Sequence, residues 1–161
     1  MPKVSNRVLL IAAVVATLSG CATGHKPVSV ADTIASNAEL STLNSLIVKA
    51  GLTETLKGTG PYTVFAPTNA AFAKVPAKTM GELGSNPAML KAVLSYHVIP
   101  AKLMAAEVKN ANIKTVNGAN VALSKAGEFV TIEDAIVEKA DMAATNGVVH
   151  SIDGVLIPPA K

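Results

Sequence analysis

The sequence predicts an α+β domain in which an antiparallel, β-rich sheet packs against segregated helices. Two observations support this fold class. Before Pro100 the apolar residues recur mainly at helical spacing, and after Pro100 their spacing approaches two. One short strand, over residues 62–66, interrupts the helical half. Helices first and strands second is the order of elements that α+β domains show, and 161 residues are enough for one such domain.

Two helices are predicted from apolar spacing and from the residues at their ends. The first has apolar side chains at i, i+3, i+4 and i+7, namely Leu43, Leu46, Ile47 and Ala50. Ser41 can cap its start, and Gly51 can end it in a left-handed conformation. The second opens at Asn86-Pro87, a side-chain cap followed by a proline at the first helical position. Its apolar stripe comprises Met89, Leu90, Val93, Leu94 and His97.

Residues 60–72 are expected to form the centre of the domain. Residues 62–66 have apolar side chains on both alternating faces, which is typical of a strand covered on both sides. Because Pro67 cannot donate to a sheet ladder, the strand is expected to turn into a short helix capped by Thr68 and Asn69. This segment holds three of the five aromatic residues of the chain: Tyr62, Phe65 and Phe72. Aromatic side chains bury large areas, so we expect them in the core.

The strands of the second half follow from turn signals. Asn117-Gly118 is a strong hairpin signal between residues 113–116 and 120–123. Residues 125–127 can turn the chain into a strand over residues 129–132. Further strands are predicted over residues 135–139 and 147–157.

The first twenty residues are typical of a secretory leader. Lys3 and Arg7 make a basic start, and an apolar run over residues 8–18 is shorter than the roughly 20 residues that a spanning helix needs. Residues 18–21 read Leu-Ser-Gly-Cys and are similar to a bacterial lipoprotein processing site. This predicts that residues 1–20 are removed and that Cys21, the only cysteine, carries the lipid. The alternative is a leader cleaved elsewhere, with Cys21 left as a free thiol.

Residues 21–29 are predicted to be a tether, and residues 30–159 the folded domain. Without Lys3 and Arg7, twelve basic and eleven acidic side chains remain, a formal charge of +1, so nothing favours nucleic-acid binding. Aromatic residues make up 3% of the chain, too few to favour a sugar-stacking surface. His25, in the tether, has no second ligand nearby, so neither a metal site nor a cofactor is predicted.

Four segments, in this order, resemble the fasciclin-like domain family. They are residues 44–52, residues 63–69 with the aromatic Phe72, residues 96–100 and residues 145–158. The second segment reads Thr-Val-Phe-Ala-Pro-Thr-Asn and is similar to the first signature of that family. The resemblance covers about residues 28–159. It implies the same α+β fold, a β-rich wedge with helices packed along it, here in a single-domain bacterial lipoprotein.

A hydrolase site has few candidates, and they are His97, His150, Ser151 and Asp153. Neighbours on a strand point to opposite faces, so His150 is expected on one face and Ser151 and Asp153 on the other. A catalytic triad needs its serine and histidine within hydrogen-bond reach. We therefore predict no catalytic residue and interpret His150 as a hydrogen-bonded core histidine. An exported hydrolase with an unrecognised histidine site stays the alternative.

The resemblance also implies candidate partner-binding residues. In relatives that bind integrins, a Tyr-His segment and an Asp-containing segment just before the terminal motif have been linked to adhesion. Tyr96 and His97 match the Tyr-His segment. Asp141 and Met142 lie in residues 139–145, which align with the Asp-containing segment. Of that segment, this chain keeps only the aspartate and the last two residues. Tyr96 and His97 continue an apolar stripe and are expected to face inward. Asp141 is instead expected in a solvated loop.

These observations predict a lipid-anchored, non-catalytic protein of the bacterial cell envelope that mediates adhesion or another protein or glycan contact. Its expected partners are the membrane, through lipidated Cys21, and an unidentified envelope or extracellular protein or glycan. Ala22 after the cysteine favours outer-membrane sorting in a bacterium with two membranes, with the domain facing either the periplasm or the exterior. A passive envelope scaffold without a specific ligand is a further alternative.

Overall fold

The structure, a computed structural model, describes residues 28–159. The predicted leader, Cys21, His25 and most of the tether lie outside the described residues. The helices are α1 (Val30–Ser36), α2 (Ser41–Lys49), α3 (Thr53–Lys57), α4 (Asn69–Ala73), α5 (Ala77–Ser85) and α6 (Pro87–Tyr96), with a 3₁₀ turn at Ala38–Leu40. The strands are β1 (Tyr62–Pro67), β2 (Val98–Ile99), β3 (Ala111–Lys114), β4 (Asn120–Ala126), β5 (Phe129–Ile132), β6 (Ala135–Ala144) and β7 (Gly147–Ile152).

Seven strands form one mixed sheet in the order β2-β1-β7-β6-β5-β4-β3. Five of the six neighbouring pairs are antiparallel, as predicted. The exception is β1 with β7, which run parallel from Tyr62 beside Gly147 to Pro67 beside Ile152. At the far edge, the Val116 N–H donates to the Val98 carbonyl across 2.8 Å. Because Val98 lies in β2 and Val116 follows β3, this bond brings the two outer strands together and the sheet nearly closes.

The core has two parts, and β1 and β7 contribute alternate residues to each. Val64, Ala66 and Val149 belong to the part covered by the helices. Phe65 and Ile152 belong to the part enclosed by the curled sheet. Both parts therefore share one pair of strands, which is why β1 is buried on both faces, as predicted.

Two predicted helix ends are confirmed by side-chain caps. The Thr68 hydroxyl accepts a hydrogen bond from the Ala71 N–H at 3.3 Å, and Asn86 Oδ1 accepts from the N–H groups of Ala88 and Met89, each at 3.1 Å. Gly51 has φ +69°, the left-handed conformation predicted for it.

The predicted roles of Asn69 and Ser41 as caps of their own helices are wrong. Asn69 is the first residue of α4, and its Oδ1 accepts from the Thr42 N–H at 3.0 Å, at the start of α2. Its amide N–H₂ donates to the Ala38 carbonyl at 3.0 Å. Ser41 lies inside α2 and does not cap it. The reason is that a side chain from α4 reaches the free N–H of Thr42 in the first turn of α2 and replaces a local cap.

The parallel pair requires glycine at the start of β7. A Cβ atom on Gly147 would lie 1.8 Å from the Tyr62 carbonyl oxygen. No larger residue fits without moving the two strands apart. Gly147 therefore fixes the contact between the middle of the chain and its last strand.

Candidate functional site

Tyr96, the last residue of α6, is buried, and its hydroxyl group contacts polar groups of two other segments. Its side chain is 4% exposed, as its predicted inward orientation requires. The hydroxyl donates to the Asn120 carbonyl at 3.1 Å and lies 3.4 Å from Glu133 Oε1. Burial raises the pKa of Tyr96, and the nearby Glu133 carboxylate adds to this increase. Tyr96 therefore joins α6 to β4 and to the turn between β5 and β6.

His97 follows Tyr96 and is fully buried, which confirms the prediction that it faces inward. Its Nδ1–H donates to the Val93 carbonyl at 2.8 Å, and its Nε2 accepts from the Leu156 N–H at 2.9 Å. Because a backbone N–H can only donate, the ring is neutral, with its proton on Nδ1. Burial lowers the pKa of His97 to about 4, although the bond to Val93 opposes the change. His97 therefore holds the C-terminal segment against α6.

Asp141 lies in β6, not in a loop, so the prediction of its surroundings is wrong. β6 continues past the expected end at residue 139 to Ala144, with irregular pairing between Lys139 and Met142. At this irregularity Asp141 has φ +56°. Its side chain is 38% exposed, and its Oδ1 accepts from the Ala105 N–H at 2.7 Å. The carboxylate therefore fixes the segment between β2 and β3.

Met142 packs inward beside Asp141. It pairs with Val149 and packs against the core under the helices. Its sulfur lies 3.8 Å from the Asn37 amide nitrogen. Contact with an external partner would therefore use little of the Met142 side chain.

His150 is the second buried histidine, and it is bonded at both ring nitrogens. Its Nε2–H donates to the Leu103 carbonyl at 2.8 Å, and its Nδ1 accepts from the Asp141 N–H at 3.0 Å. The ring stacks on Phe65, with 5.3 Å between centroids. Burial lowers the pKa of His150, while the bond to Leu103 and the Asp141 carboxylate act in the opposite direction.

The hydrogen bonds of Ser151 and Asp153 also oppose a catalytic triad. Ser151 Oγ accepts from the Lys139 N–H at 3.0 Å. The Asp153 carboxylate accepts from the Ile136 N–H at 2.7 Å and lies 3.4 Å from Lys74 Nζ. Since both nitrogens of His150 bond to backbone groups, neither activates the serine.

An open groove with a volume of about 580 Å³ lies between the β5–β6 turn and the C-terminal segment. We define the groove by six of the residues that line it: Tyr96, Asn120, Glu133, Asp134, Leu156 and Ile157. Tyr96 lines it directly, and His97 supports it through the bond to Leu156. Sequence reasoning missed Glu133, Asp134 and Ile157. The available signal was a pair of acidic residues in a turn between two predicted strands.

Residues 28–159 contain no cluster of three or more histidine, cysteine or acidic side chains arranged to hold a metal ion. Within the same range, no helix combines the length and the apolar character that crossing a bilayer requires.

The family model for the fasciclin domain matches residues 38–158, most of the chain. The chain belongs to the fasciclin family. Protein sll1483 of Synechocystis is 39% identical over 133 residues, which cover 81% of this chain and 74% of that protein. The cell surface glycolipoprotein MPB83 of Mycobacterium bovis is 35% identical over 147 residues, covering 88% of this chain and 66% of that protein.

A solved structure has the same fold. It is a FAS1 domain pair from the insect cell adhesion molecule fasciclin I, which matches with a TM-score of 0.64 at 17% sequence identity. The match covers 81% of this chain and 51% of that one. The expected fasciclin-like wedge, with helices packed along a β-rich sheet, is confirmed.

In this fasciclin domain the four predicted partner-binding residues form two separate groups. Tyr96 and His97 contact the groove or its C-terminal wall. Asp141 contacts the segment after β2, and Met142 packs under the helices. Three of the four, Tyr96, His97 and Met142, are mainly packing residues. Asp141 alone keeps a substantial part of its side chain exposed.

Proposed function

We propose that this fasciclin domain is a lipid-anchored, non-catalytic envelope protein that makes adhesive contacts with a protein or glycan outside the cell membrane. The observation that carries the non-catalytic part is the bonding of His97 and His150. Each ring donates to one backbone carbonyl and accepts from one backbone N–H. Neither ring has a nitrogen left to take a proton from a nucleophile, so both histidines act as structural cross-links.

Two comparisons support the envelope location and the adhesive role. One relative is named a cell surface glycolipoprotein, and the structural neighbour comes from a cell adhesion molecule. The leader of this chain ends at its only cysteine, Cys21, behind the small residues Ser19 and Gly20. An acyl chain contributes about 0.8 kcal/mol per buried methylene, so lipidated Cys21 would hold the domain at a membrane.

Fractionation of cells that express the wild-type chain or Cys21→Ser tests the anchor. We expect the wild-type protein in the membrane fraction, with an acylated N-terminal cysteine by mass spectrometry, and the variant in the soluble fraction. Ala22 after Cys21 favours the outer membrane where the source has two membranes, and density-gradient separation of the membranes tests this. Retention of Cys21→Ser in the membrane, with an unmodified Cys21 in the wild type, would contradict lipid anchoring.

Attachment to surfaces tests the adhesive role. A strain that lacks the protein is complemented with the wild type or with Cys21→Ser, and attached cells are counted. We expect the wild type to restore attachment and the released variant to fail. Equal attachment of all strains would instead favour a passive scaffold. Turnover of acyl or glycosyl substrates by the purified wild-type protein, lost on removal of His150, would favour the hydrolase.

A further inference from the structure

We propose that the groove between the β5–β6 turn and the C-terminal segment binds an extended peptide segment in which a basic side chain adjoins an apolar one. The inference deepens the proposed function, because it assigns the chemistry of a partner to a surface. It depends on that function only for the orientation of the domain. The charge and shape of the groove carry the rest.

The carboxylates of Glu133 and Asp134 make one wall of the groove acidic. Glu133 is held in place, because its Oε1 accepts from the Ala122 N–H at 2.7 Å and lies 3.4 Å from the Tyr96 hydroxyl. Both contacts use the same oxygen, which leaves Oε2 for a ligand. Asp134 is exposed and makes no ion pair with any residue in the described part of the chain. No lysine or arginine lines the groove within residues 28–159, so its charge favours a basic group.

The opposite wall is apolar and comes from the C-terminal segment. Leu156 is buried there, and Ile157 is 51% exposed at the rim. Residues 154–157 belong to no strand, so their peptide groups lie outside the sheet ladder. An apolar side chain on Ile157, with a basic side chain on the acidic wall, fits a peptide better than it fits a lone cation.

Both walls are held by buried residues, so the groove is formed before a ligand binds. Tyr96 braces the acidic side through its bond to the Asn120 carbonyl, beside Glu133, and His97 braces the apolar wall through the Leu156 N–H. A preformed site loses less entropy on binding than one that must order itself. A change at Tyr96 or His97 would therefore alter binding through the walls, without either side chain being the main contact.

The groove also lies at the opposite end of β6 from Val28, where the tether joins the domain. Val28, the first described residue, accepts through its carbonyl from the Thr145 N–H at 2.9 Å, just beyond the last residue of β6. The Glu133-Asp134 turn precedes the first residue of the same strand. A strand of ten residues spans on the order of 30 Å. If Cys21 anchors the chain to a membrane, the groove lies at the distal end of the domain.

Tyrosine fluorescence of the purified full-length protein in detergent tests the site. The chain has no tryptophan and two tyrosines, so in Tyr62→Phe the remaining tyrosine, Tyr96, reports from the groove. The probe is the peptide acetyl-Ser-Leu-Arg-Leu-Lys-Ser-amide, and its counterpart has glutamate in place of arginine and lysine. We expect saturable quenching by the basic peptide, weakened in about 0.5 M salt, and none by the acidic one.

Substitutions in the groove should weaken binding of the basic peptide, and matched substitutions elsewhere should not. Glu133→Gln with Asp134→Asn removes two charge pairs and should lower the affinity about tenfold. Glu128→Gln removes an exposed carboxylate outside the groove and should change the affinity less than about twofold. Ile157→Ser should also weaken binding, whereas Val116→Ser, at a similarly exposed apolar position, should not. A thermal melt of each variant confirms that it is folded.

Four results would overturn the proposal. The first three are no binding of the basic peptide, equal binding of the acidic one, and an equal loss of affinity in Glu128→Gln. Binding of acetyl-arginine amide as tight as that of the peptide would also overturn it, because the site would then recognise only a cation. Attachment assays of strains that carry the groove variants separate peptide binding from adhesion. A variant that loses peptide binding while its strain still attaches would support the peptide site and contradict its use in adhesion.

Discussion

Two regions of the domain are built alike yet differ in charge. The His97 corner comprises His97, Val93 and Leu156, and the His150 corner comprises His150, Leu103 and Asp141. In each, a buried neutral ring joins a backbone carbonyl to a backbone N–H from another segment. Around His97, the neighbours that line a void of about 10 Å³ are all apolar. His150 instead has the Asp141 carboxylate 4.0 Å from its Nδ1. Within residues 28–159, no carboxylate lies within 4 Å of the His97 ring, whereas a proton on His150 would meet Asp141.

This difference separates two kinds of structural histidine. His97 ties the C-terminal segment to α6 among apolar side chains, so its protonation should open the domain. His150 and Asp141 together hold the segment between β2 and β3 at the surface. The family motifs thus fall on two positions that support the wedge.

The largest expected effect comes from removing the ring beneath His150. Phe65 is fully buried and stacks on that histidine, so Phe65→Ala should lower the free energy of unfolding by about 3 to 5 kcal/mol. Denaturant melts measure this change. The control is Thr68→Ala, which removes one helix cap and should cost about 1 kcal/mol. A smaller loss for Phe65→Ala than for Thr68→Ala would mean that residues 60–72 are not the centre of the fold.

The next effect is the pH dependence of stability that His97 imposes. Its pKa is about 4 in the folded state and 6.5 without burial. Above pH 6.5 the ring is neutral in both states, and its contribution to stability is complete. As the pH falls from 6.5 to 4, the unfolded state binds a proton that the folded state does not. We expect the free energy of unfolding to fall by on the order of 3 kcal/mol across this window.

Chemical melts at pH 7, 6, 5 and 4 measure the pH effect, with His97→Gln as the control. Because glutamine does not titrate, the variant should lose the part of the slope that His97 contributes. The carboxylates with lowered pKa, Asp32 and Asp153, lose their contribution mainly as the pH falls toward and below 3.8, so they add to the slope only near pH 4 and add equally in both proteins. Equal slopes for the wild type and His97→Gln would show that the core around His97 admits water.

Local patterns in the sequence were sufficient to predict several elements of the fold and the orientation of His97. The strand over Phe129–Ile132 has its predicted bounds, because a turn with Gly127 in the left-handed conformation precedes it. α6 begins at Pro87, as the Asn-Pro pair predicts. The inward orientation of His97 followed from its spacing after Leu90 and Val93. In each case neighbours along the chain determine the structure.

What the sequence did not reveal depends on contacts between distant residues. The parallel pairing of β1 with β7 joins segments about eighty residues apart, and no local pattern identifies such a partner. Asp141 was expected in a loop because β6 loses its alternation at the irregular pairing near it. Asn69 was recognised as a capping residue, but it caps α2, which lies earlier in the chain. The groove was missed because its two walls meet only in the folded domain.

Replacing either histidine with alanine should lower the free energy of unfolding less than Phe65→Ala does, and it should distinguish the two corners. His97→Ala leaves the Leu156 N–H without its buried acceptor and should cost about 1 to 3 kcal/mol at pH 7. His150→Ala should expose the Asp141 N–H instead. Hydrogen exchange resolved by residue distinguishes them: the Leu156 amide should exchange faster only in the first variant, and the Asp141 amide only in the second. Faster exchange of both amides in both variants would show that the corners open as one unit.

The smallest effect is expected at Asp141, where the two corners differ most. Asp141→Ala removes the bond to the Ala105 N–H and places alanine at φ +56°, but water reaches this partly exposed site. We expect a loss of about 1 kcal/mol in denaturant melts. Asp141→Asn keeps an oxygen acceptor and tolerates the left-handed conformation, so it should cost less than about 0.5 kcal/mol. Asparagine also removes the counter-charge beside His150. Because the Asp141 charge favours protonated His150, Asp141→Asn should lose stability faster than the wild type as the pH falls below 6.5. Equal slopes would show that His150 is as isolated from charge as His97.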